Sequence, residues 1–463
     1  MWICTDQQRF DALGCDGNRY VRTPNLDRLA RHGVLIEHAY SQNPVCTPSR
    51  ASFLTGRYPR TTRCRMNGQA IPADEKLVSR LLADNGYTCG LSGKLHVSPA
   101  HPMVSPAGER RIDDGFAEFH WSHHPEPDWP TDEYHHWLHE KGQEYKVSRL
   151  EGSRYVEIGM EAENHQTTWC AEKAIQFMEA NSKYDRPWMF LVSIFDPHHP
   201  FDPPKAYLER YLDELDSIPL PAYLPGELDN KPYYRRLQHE GGLGKKGKLA
   251  YTGMSEREHK LVRAAYWAMV EVIDTQVGRM LESLERSGQQ DNTLVIFMSD
   301  HGELLGDHGM YLKGSFFYDQ SIHVPHIVSM PSRIPEGRRI STFVELVDLA
   351  PTLLEAAGLA PYPGMPGRSM WNLPIGGGRD LEHRGDVYCE HYDLPIKGHD
   401  KGAQATMVRT NEYKLVVFHG EDRGELYDLR QDPGENENKW ADPAYQAVKG
   451  ECDSSSATTW QKQ

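Results

Sequence analysis

No apolar run in this chain approaches the roughly 20 residues that a membrane-spanning helix needs, so no span and no membrane partner are expected. Basic residues are in deficit: 51 Lys and Arg stand against 66 Asp and Glu, for a net charge of −15. The one dense basic stretch is Gly244-Lys245-Lys246-Gly247-Lys248, and no nucleic-acid partner is expected. The eight cysteines (Cys4, Cys15, Cys46, Cys64, Cys89, Cys170, Cys389 and Cys452) are scattered, without a Cys-x-x-Cys pair or a zinc spacing. That leaves most of them as reduced core residues. No leader precedes the first strand-like segment, which points to a cytoplasmic protein; a trimmed leader would look the same. Internal repeats are absent too.

What is there is an ordinary globular composition, 25% charged and 38% hydrophobic over 463 residues, with 23 histidines in clusters. The length allows one large domain and a smaller one. Met1 to Thr5 reads as a buried strand that delivers Asp6-Gln7 at its end. Helices are expected at 23–30, 74–86, 167–180 and 349–357, and over 255–287 with a break. Strands are expected at 33–40, 87–91, 188–195, 293–298 and 327–330. This alternation predicts an α/β fold: a large mixed, mostly parallel sheet sandwiched by helices. Residues 101–165, rich in His, Trp and Pro, and residues 201–252 read as excursions over the active face. Short antiparallel strands at 387–389, 404–409, 414–418 and 425–429 predict a small C-terminal sheet. Domains are placed at 1–370 and 371–463, with a disordered tail after Gly450.

Three apolar strands end in polar clusters: Asp6-Gln7, His198-His199 and Asp300-His301. In a parallel sheet those ends share one edge, where ligands bind. Carboxylates with amide and imidazole partners suit a divalent cation. Cys46-Thr47-Pro48-Ser49-Arg50 reads as the start of a helix, with Thr47 as N-cap, Pro48 in the first turn and Gly56 as the stop. Cys46 then sits at a helix mouth, a place for an anion, with Arg50 within reach. The alternative is a buried cysteine beside a capped helix.

Cys46-x-Pro48-x-Arg50, followed by Ala51-Ser52-x-x-Thr55-Gly56-Arg57, resembles the signature of the type I sulfatases, members of the alkaline phosphatase superfamily. Gly93-Lys94-Leu95-His96 and Pro197-His198-His199-Pro200 resemble two further motifs of that family. The resemblance runs from Asp6 to about Asn438 and implies an alkaline-phosphatase-like fold, with the catalytic domain in 1–370. It implies that Cys46 is oxidised to formylglycine by the formylglycine-generating enzyme, giving an aldehyde whose hydrate attacks a sulfate ester. It implies one divalent metal, calcium first with manganese or zinc as alternatives, held by Asp6, Gln7, Cys46, Asp300 and His301. Lys94 and Arg50 would hold sulfate oxygens and His96 would act as base. His198, with His199 as competitor, and Lys313 would serve the leaving oxygen. Asp307 and His308 would support them. The Asp-Gln and Asp-His pairing also resembles phosphonate monoester hydrolases, so a phosphonate or phosphate diester is the alternative substrate to a small-molecule or carbohydrate sulfate. A binding protein that has lost catalysis is the remaining alternative, and intact Cys46, Arg50, Lys94 and His96 argue against it.

Overall fold

The strand that opens the chain is covered on both faces, and this sets the architecture. The computed structural model describes residues 1–241, 249–375, 383–394 and 403–452. In it β1 (Trp2–Thr5) is fully buried between two parallel neighbours. Trp2 and Cys4 pack into one hydrophobic cluster, and Ile3 into another on the opposite face. A strand covered on both sides must be apolar throughout, so it reads as a run and not as an alternation.

Eight further strands complete this sheet: β2 (Val34–Tyr40), β3 (Thr88–Gly93), β4 (Glu118–Trp121), β5 (Trp188–Ile194), β6 (Val295–Ser299), β7 (His323–Val324), β8 (His326–Ser329) and β9 (Arg338–Glu345). The order is β9-β2-β8-β6-β1-β5-β3-β4, with β7 paired to β2 off that path. β8 runs antiparallel to β2 and β6, and β7 antiparallel to β2. Every other pairing is parallel. The large, mixed, mostly parallel sheet is as expected.

The helices used below are α1 (Pro24–Arg31), α2 (Cys46–Thr55), α3 (Val78–Asp84), α4 (Glu133–Glu140), α5 (Gln166–Asn181), α6 (Lys205–Leu212), α7 (Tyr233–His239), α8 (Glu256–Arg286) and α9 (Leu349–Ala356). Phe53 and Leu54 of α2, Leu82 of α3 and Leu354 of α9 cover one face of the sheet. Leu26 of α1, Trp169 of α5 and Val277 of α8 cover the other.

Three expectations are corrected. The helix after Ser255 has no break: Ser255 and Glu258 form a capping box, and α8 runs on through Gly278. A Cβ on Gly278 would lie 2.6 Å from the Asn25 side chain, so glycine there admits the start of α1. α3 begins at Val78, not at Asp74, because Asp74 and Glu75 are turned to ion pairs with Arg63 and Arg57. Residues 101–165 are not wholly an excursion, since they supply the edge strand β4 and helix α4. β4 is only four residues long and half-buried, which is too little to impose a sequence period.

The second sheet is an antiparallel meander of β10 (Val387–Leu394), β11 (Ala403–Arg409), β12 (Tyr413–Phe418) and β13 (Gly424–Asp428). Cys389, Met407 and Val416 share a cluster with Tyr40, Phe317 and Phe343 of the main body. The fully buried guanidinium of Arg235, on α7, donates to both oxygens of Glu425 in β13 at 2.9 Å. Cys452 is buried against Leu415 and Leu426. The rest of the tail expected to be disordered, and the basic stretch at 244–248, lie outside the described residues. All eight cysteines are free, and only Cys15 is partly exposed. Among the described residues no helix is long and apolar enough to cross a membrane.

Candidate active site

Four parallel strands deliver the polar residues to one edge. Thr5 of β1 pairs with Ile194 of β5 and Ser299 of β6, and Gly93 of β3 pairs with Ser193 of β5. Asp6, Lys94 and Asp300 follow these ends directly and His198 lies four residues beyond Ile194, so they emerge at one edge. Gly93 has φ +97°, and a Cβ there would fall 2.0 Å from the Ser193 carbonyl oxygen. Glycine lets the chain turn against β5, and the Lys94 N–H donates to that carbonyl.

α2 is seated at the same edge with Cys46 as its first residue. The capping position is Val45, not Thr47. Thr47 is drawn to tertiary partners: its N–H donates to Asn67 Oδ1, and its hydroxyl meets His96 Nε2 at 3.1 Å. Ser49 Oγ donates to the Asp300 carbonyl at 2.6 Å and ties the helix to the end of β6.

The Cys46 sulfur marks the centre. Lys313 Nζ is 2.8 Å away, His301 Nε2 3.2 Å, Asp6 Oδ1 3.6 Å and Lys94 Nζ 3.8 Å. Burial and Asp6 oppose ionisation of the thiol, but Lys313, Lys94 and His301 outweigh them and bring its pKa below the ordinary value. Burial likewise opposes the Asp6 carboxylate, and Lys94, Lys313, His198 and Arg50 overcome it and hold its pKa well below the usual range.

Asp6, Cys46, Asp300 and His301 offer ligand atoms that all lie within 4.8 Å of one another. His301 Nδ1 faces the Gly302 carbonyl at 2.9 Å, so the proton sits there and the Nε2 lone pair is directed at the cluster. Gln7 takes φ 71°, and its Nε2 donates to Glu303. Its Oε1 is buried with no hydrogen-bond partner among the described residues. A buried amide oxygen without a donor costs free energy unless something accepts its lone pairs. Two carboxylates, an imidazole nitrogen and this oxygen are a donor set that fits a divalent metal.

Arg50 does not serve where it was expected. Its guanidinium donates to Asp300 Oδ2, Asp6 Oδ2, the Lys94 carbonyl and Ser193 Oγ, all between 2.8 and 3.1 Å. Four of its five donors are thereby committed beneath the cluster, which leaves little for a sulfate oxygen. Lys94 Nζ donates to Asp6 Oδ2 at 2.6 Å. Burial, then Lys94 and Arg50, keep the His96 pKa well below the imidazole range. His198 is near enough to lower the Asp6 pKa; its Nδ1 faces the His199 carbonyl and its ring stacks on the His199 ring at 4.1 Å. Asp307 binds Arg9 and Arg263, and His308 stacks on Tyr318 at 3.9 Å. Both anchor the loop before Lys313.

Sequence reasoning gave no role to Ser193, Glu303 or His123. Ser193 lies within the strand expected at 188–195 and Glu303 two residues past Asp300-His301, but nothing in their spacing marks a partner. His123 meets the His96 ring edge-on at 4.5 Å, from the 101–165 segment that reads in the sequence as an excursion over the active face.

A family model described as Sulfatase matches residues 1–359, and one described as N-sulphoglucosamine sulphohydrolase, C-terminal, matches residues 306–459. An arylsulfatase of Clostridium perfringens is 30% identical, over 94% of this chain and 89% of that protein. Human iduronate 2-sulfatase is 29% identical, over 93% and 89%. The crystal structure of a phosphonate monoester hydrolase of Agrobacterium radiobacter superposes with a TM-score of 0.83 at 26% identity, over 100% of this chain and 95% of the other.

Proposed function

Because the chain belongs to the sulfatase family and is a hydrolase of sulfuric esters, we propose that it cleaves a small-molecule or carbohydrate sulfate at Cys46. In this reading Cys46 is matured to formylglycine, and Asp6, Gln7, Asp300 and His301 hold one divalent metal. The observation that carries it is the surroundings of the Cys46 sulfur, with two lysines, one histidine and two carboxylates converging on one buried atom. When present, the metal supplies a Lewis acid and formylglycine supplies an aldehyde whose hydrate is the nucleophile. Calcium is the first expectation for the ion; the imidazole in the donor set also suits manganese or zinc.

The protein's own groups divide the remaining work. Lys94 and Lys313 place two cations beside the attacked sulfate, where negative charge grows. Lys313 also holds a proton for the leaving oxygen, and its pKa is raised because Cys46, Asp6 and Asp300 together outweigh its burial. His96, kept neutral, accepts a proton from the nucleophile side, and Thr47 orients it. His198 has Nδ1 turned to a carbonyl, so it presents an acceptor Nε2. Arg50 is a positioning residue for Asp6 and Asp300. His123, His124, Trp129 and Phe195 form a connected aromatic cluster beside His96, of the kind that packs against a sugar or aryl ring.

A phosphonate monoester is the second reading. It is favoured by Gln7 and His301 in the donor set and by the structural likeness above. Two measurements test the assignment. Protein made with the formylglycine-generating enzyme should give a Cys46 peptide whose mass has fallen by conversion of thiol to aldehyde. It should then turn over an aryl sulfate faster than a phenylphosphonate monoester. The reverse order of rates selects the second reading, and an unmodified thiol removes the aldehyde chemistry.

A further inference from the structure

We propose that Glu303 fixes which end of the Gln7 amide faces the metal site and, with its other oxygen, fixes the loop that carries Lys313. The inference rests on the reading of Gln7 as a metal ligand.

Glu303 is fully buried at the end of Asp300-His301-Gly302-Glu303. It reaches neither the Cys46 sulfur nor the ligand cluster directly. Its Oε2 accepts from Gln7 Nε2. Its Oε1 accepts from the N–H of Leu305 at 2.9 Å and from the N–H of Leu312 at 2.5 Å. A carboxylate only accepts, so the group facing it must be the NH2 end of the Gln7 amide. The carbonyl end is thereby turned away from Glu303, and this is the oxygen that has no hydrogen-bond partner among the described residues. Without Glu303 the two ends of the amide are nearly equal in size, and nothing else in contact with Gln7 Nε2 distinguishes them.

The second half of the argument is backbone. Leu305 and Leu312 both have positive φ, 49° and 67°, where branched and bulky residues rarely sit. Each gives its N–H to the same Glu303 oxygen. The two residues flank the loop 306–311, and Lys313 follows Leu312 immediately. One buried carboxylate therefore couples ligand orientation on β1 to the position of the lysine 2.8 Å from Cys46. Glu303 is a positioning residue in this account, not a catalytic one.

The test is a polarity swap. In Glu303→Gln the single amide oxygen stays on the two backbone N–H groups, because the alternative sets an NH2 against both. Its NH2 then faces the NH2 of Gln7, which must turn over and present a donor to the metal. In Gln7→Glu with Glu303→Gln the pairing is restored in reverse. The new amide at position 303 donates, and the new carboxylate at position 7 accepts with one oxygen while offering the other to the metal. The readout is calorimetric titration of Mn2+ alone into chelator-stripped protein, with melting temperature alongside.

Glu303→Gln is expected to weaken Mn2+ by about tenfold or more, as loss of a partner behind a ligand does. The double variant is expected to bind Mn2+ about tenfold more tightly than Glu303→Gln. Wild-type affinity in Glu303→Gln, or a double variant no better than that single one, would overturn the proposal. If Glu303→Gln does not fold, Gln7→Glu and the double variant are compared: the double must bind more tightly, since the single variant sets two carboxylates face to face. Gln7→Ala separates the layers. Unchanged Mn2+ binding there removes the ligand reading itself, whereas weakened binding there with an unaffected Glu303→Gln removes only the role of Glu303.

Discussion

Lys313 Nζ and Cys46 Sγ stand 2.8 Å apart, although 267 positions separate them in the chain. The lysine also lies 3.2 Å from His301 Nε2, so its ammonium bridges Cys46 and a metal-ligand candidate. If it holds the proton for the leaving oxygen, its removal matters most for poor leaving groups. Lys313→Ala should lower kcat/KM by about 10²–10⁴ on an alkyl sulfate and distinctly less on 4-nitrophenyl sulfate. Equal losses on both would assign the lysine to binding alone.

Cys46→Ser tests the second hydroxyl of the matured side chain. A serine oxygen attacks once and then holds the sulfuryl group, with no neighbouring hydroxyl to expel it. The expected result is a stoichiometric burst of alcohol and a mass increase that persists on the serine peptide. Continuous turnover by the serine variant at the wild-type rate would refute this role.

Arg50 is expected to act through stability and metal affinity. It is buried and bridges Asp6 and Asp300, with an ion pair to each. Removing one partner of a buried ion pair costs about 3–5 kcal/mol. Arg50→Met should therefore melt well below wild type in chelator, and divalent metal should restore part of the loss by neutralising the same carboxylates. Arg50→Lys should behave similarly, because an ammonium cannot replace the fork. A raised KM with an unchanged melting temperature would instead return Arg50 to the substrate.

Acid stability should depend on histidines remote from the chemistry. His326 on β8 is fully buried, neither ring nitrogen has a hydrogen-bond partner among the described residues, and burial brings its pKa down to about 4. The unfolded chain takes up this proton near pH 6.5, and the folded chain resists it until about pH 4. The contribution is thus complete above pH 6.5 and is lost as pH falls to 4, for a total of about 3 kcal/mol. His323 and His391 are depressed in the same way. His326→Leu should flatten the fall of melting temperature between pH 7 and pH 4; a slope identical to wild type would remove His326 from the account.

Chelation should abolish turnover and lower the melting temperature, with both restored by a divalent cation. A protein that keeps full activity after exhaustive chelation would contradict the assignment of Asp6, Gln7, Asp300 and His301 as ligands.

What the sequence made legible was local. Asp6, His198 and Asp300 each come after an apolar run, and covered parallel strands end at one edge, so their convergence was readable without coordinates, whereas Lys94 was readable only through its motif. The edges of the sheet were not readable. β9 carries Arg338-Arg339-Ile340-Ser341-Thr342, a half-exposed strand whose alternation is too polar to stand out. The role of Arg50 was hidden for a different reason. Its position in the motif is visible, but its four acceptors come from residues 6, 94, 193 and 300, and no spacing along the chain discloses that they meet. The same holds for Thr47, which reads as a cap and is instead spent on Asn67 and His96.

The buried fork between Arg235 and Glu425 has a consequence for inheritance. It joins the 201–241 segment, part of the excursion expected over the active face, to β13, the last strand of the C-terminal sheet. Transplanting that segment from a relative with another specificity would strand one charge in the interior unless the matching strand came with it. Segment and sheet are therefore a single heritable unit, and chimeras that exchange the segment should take their crossover points outside both.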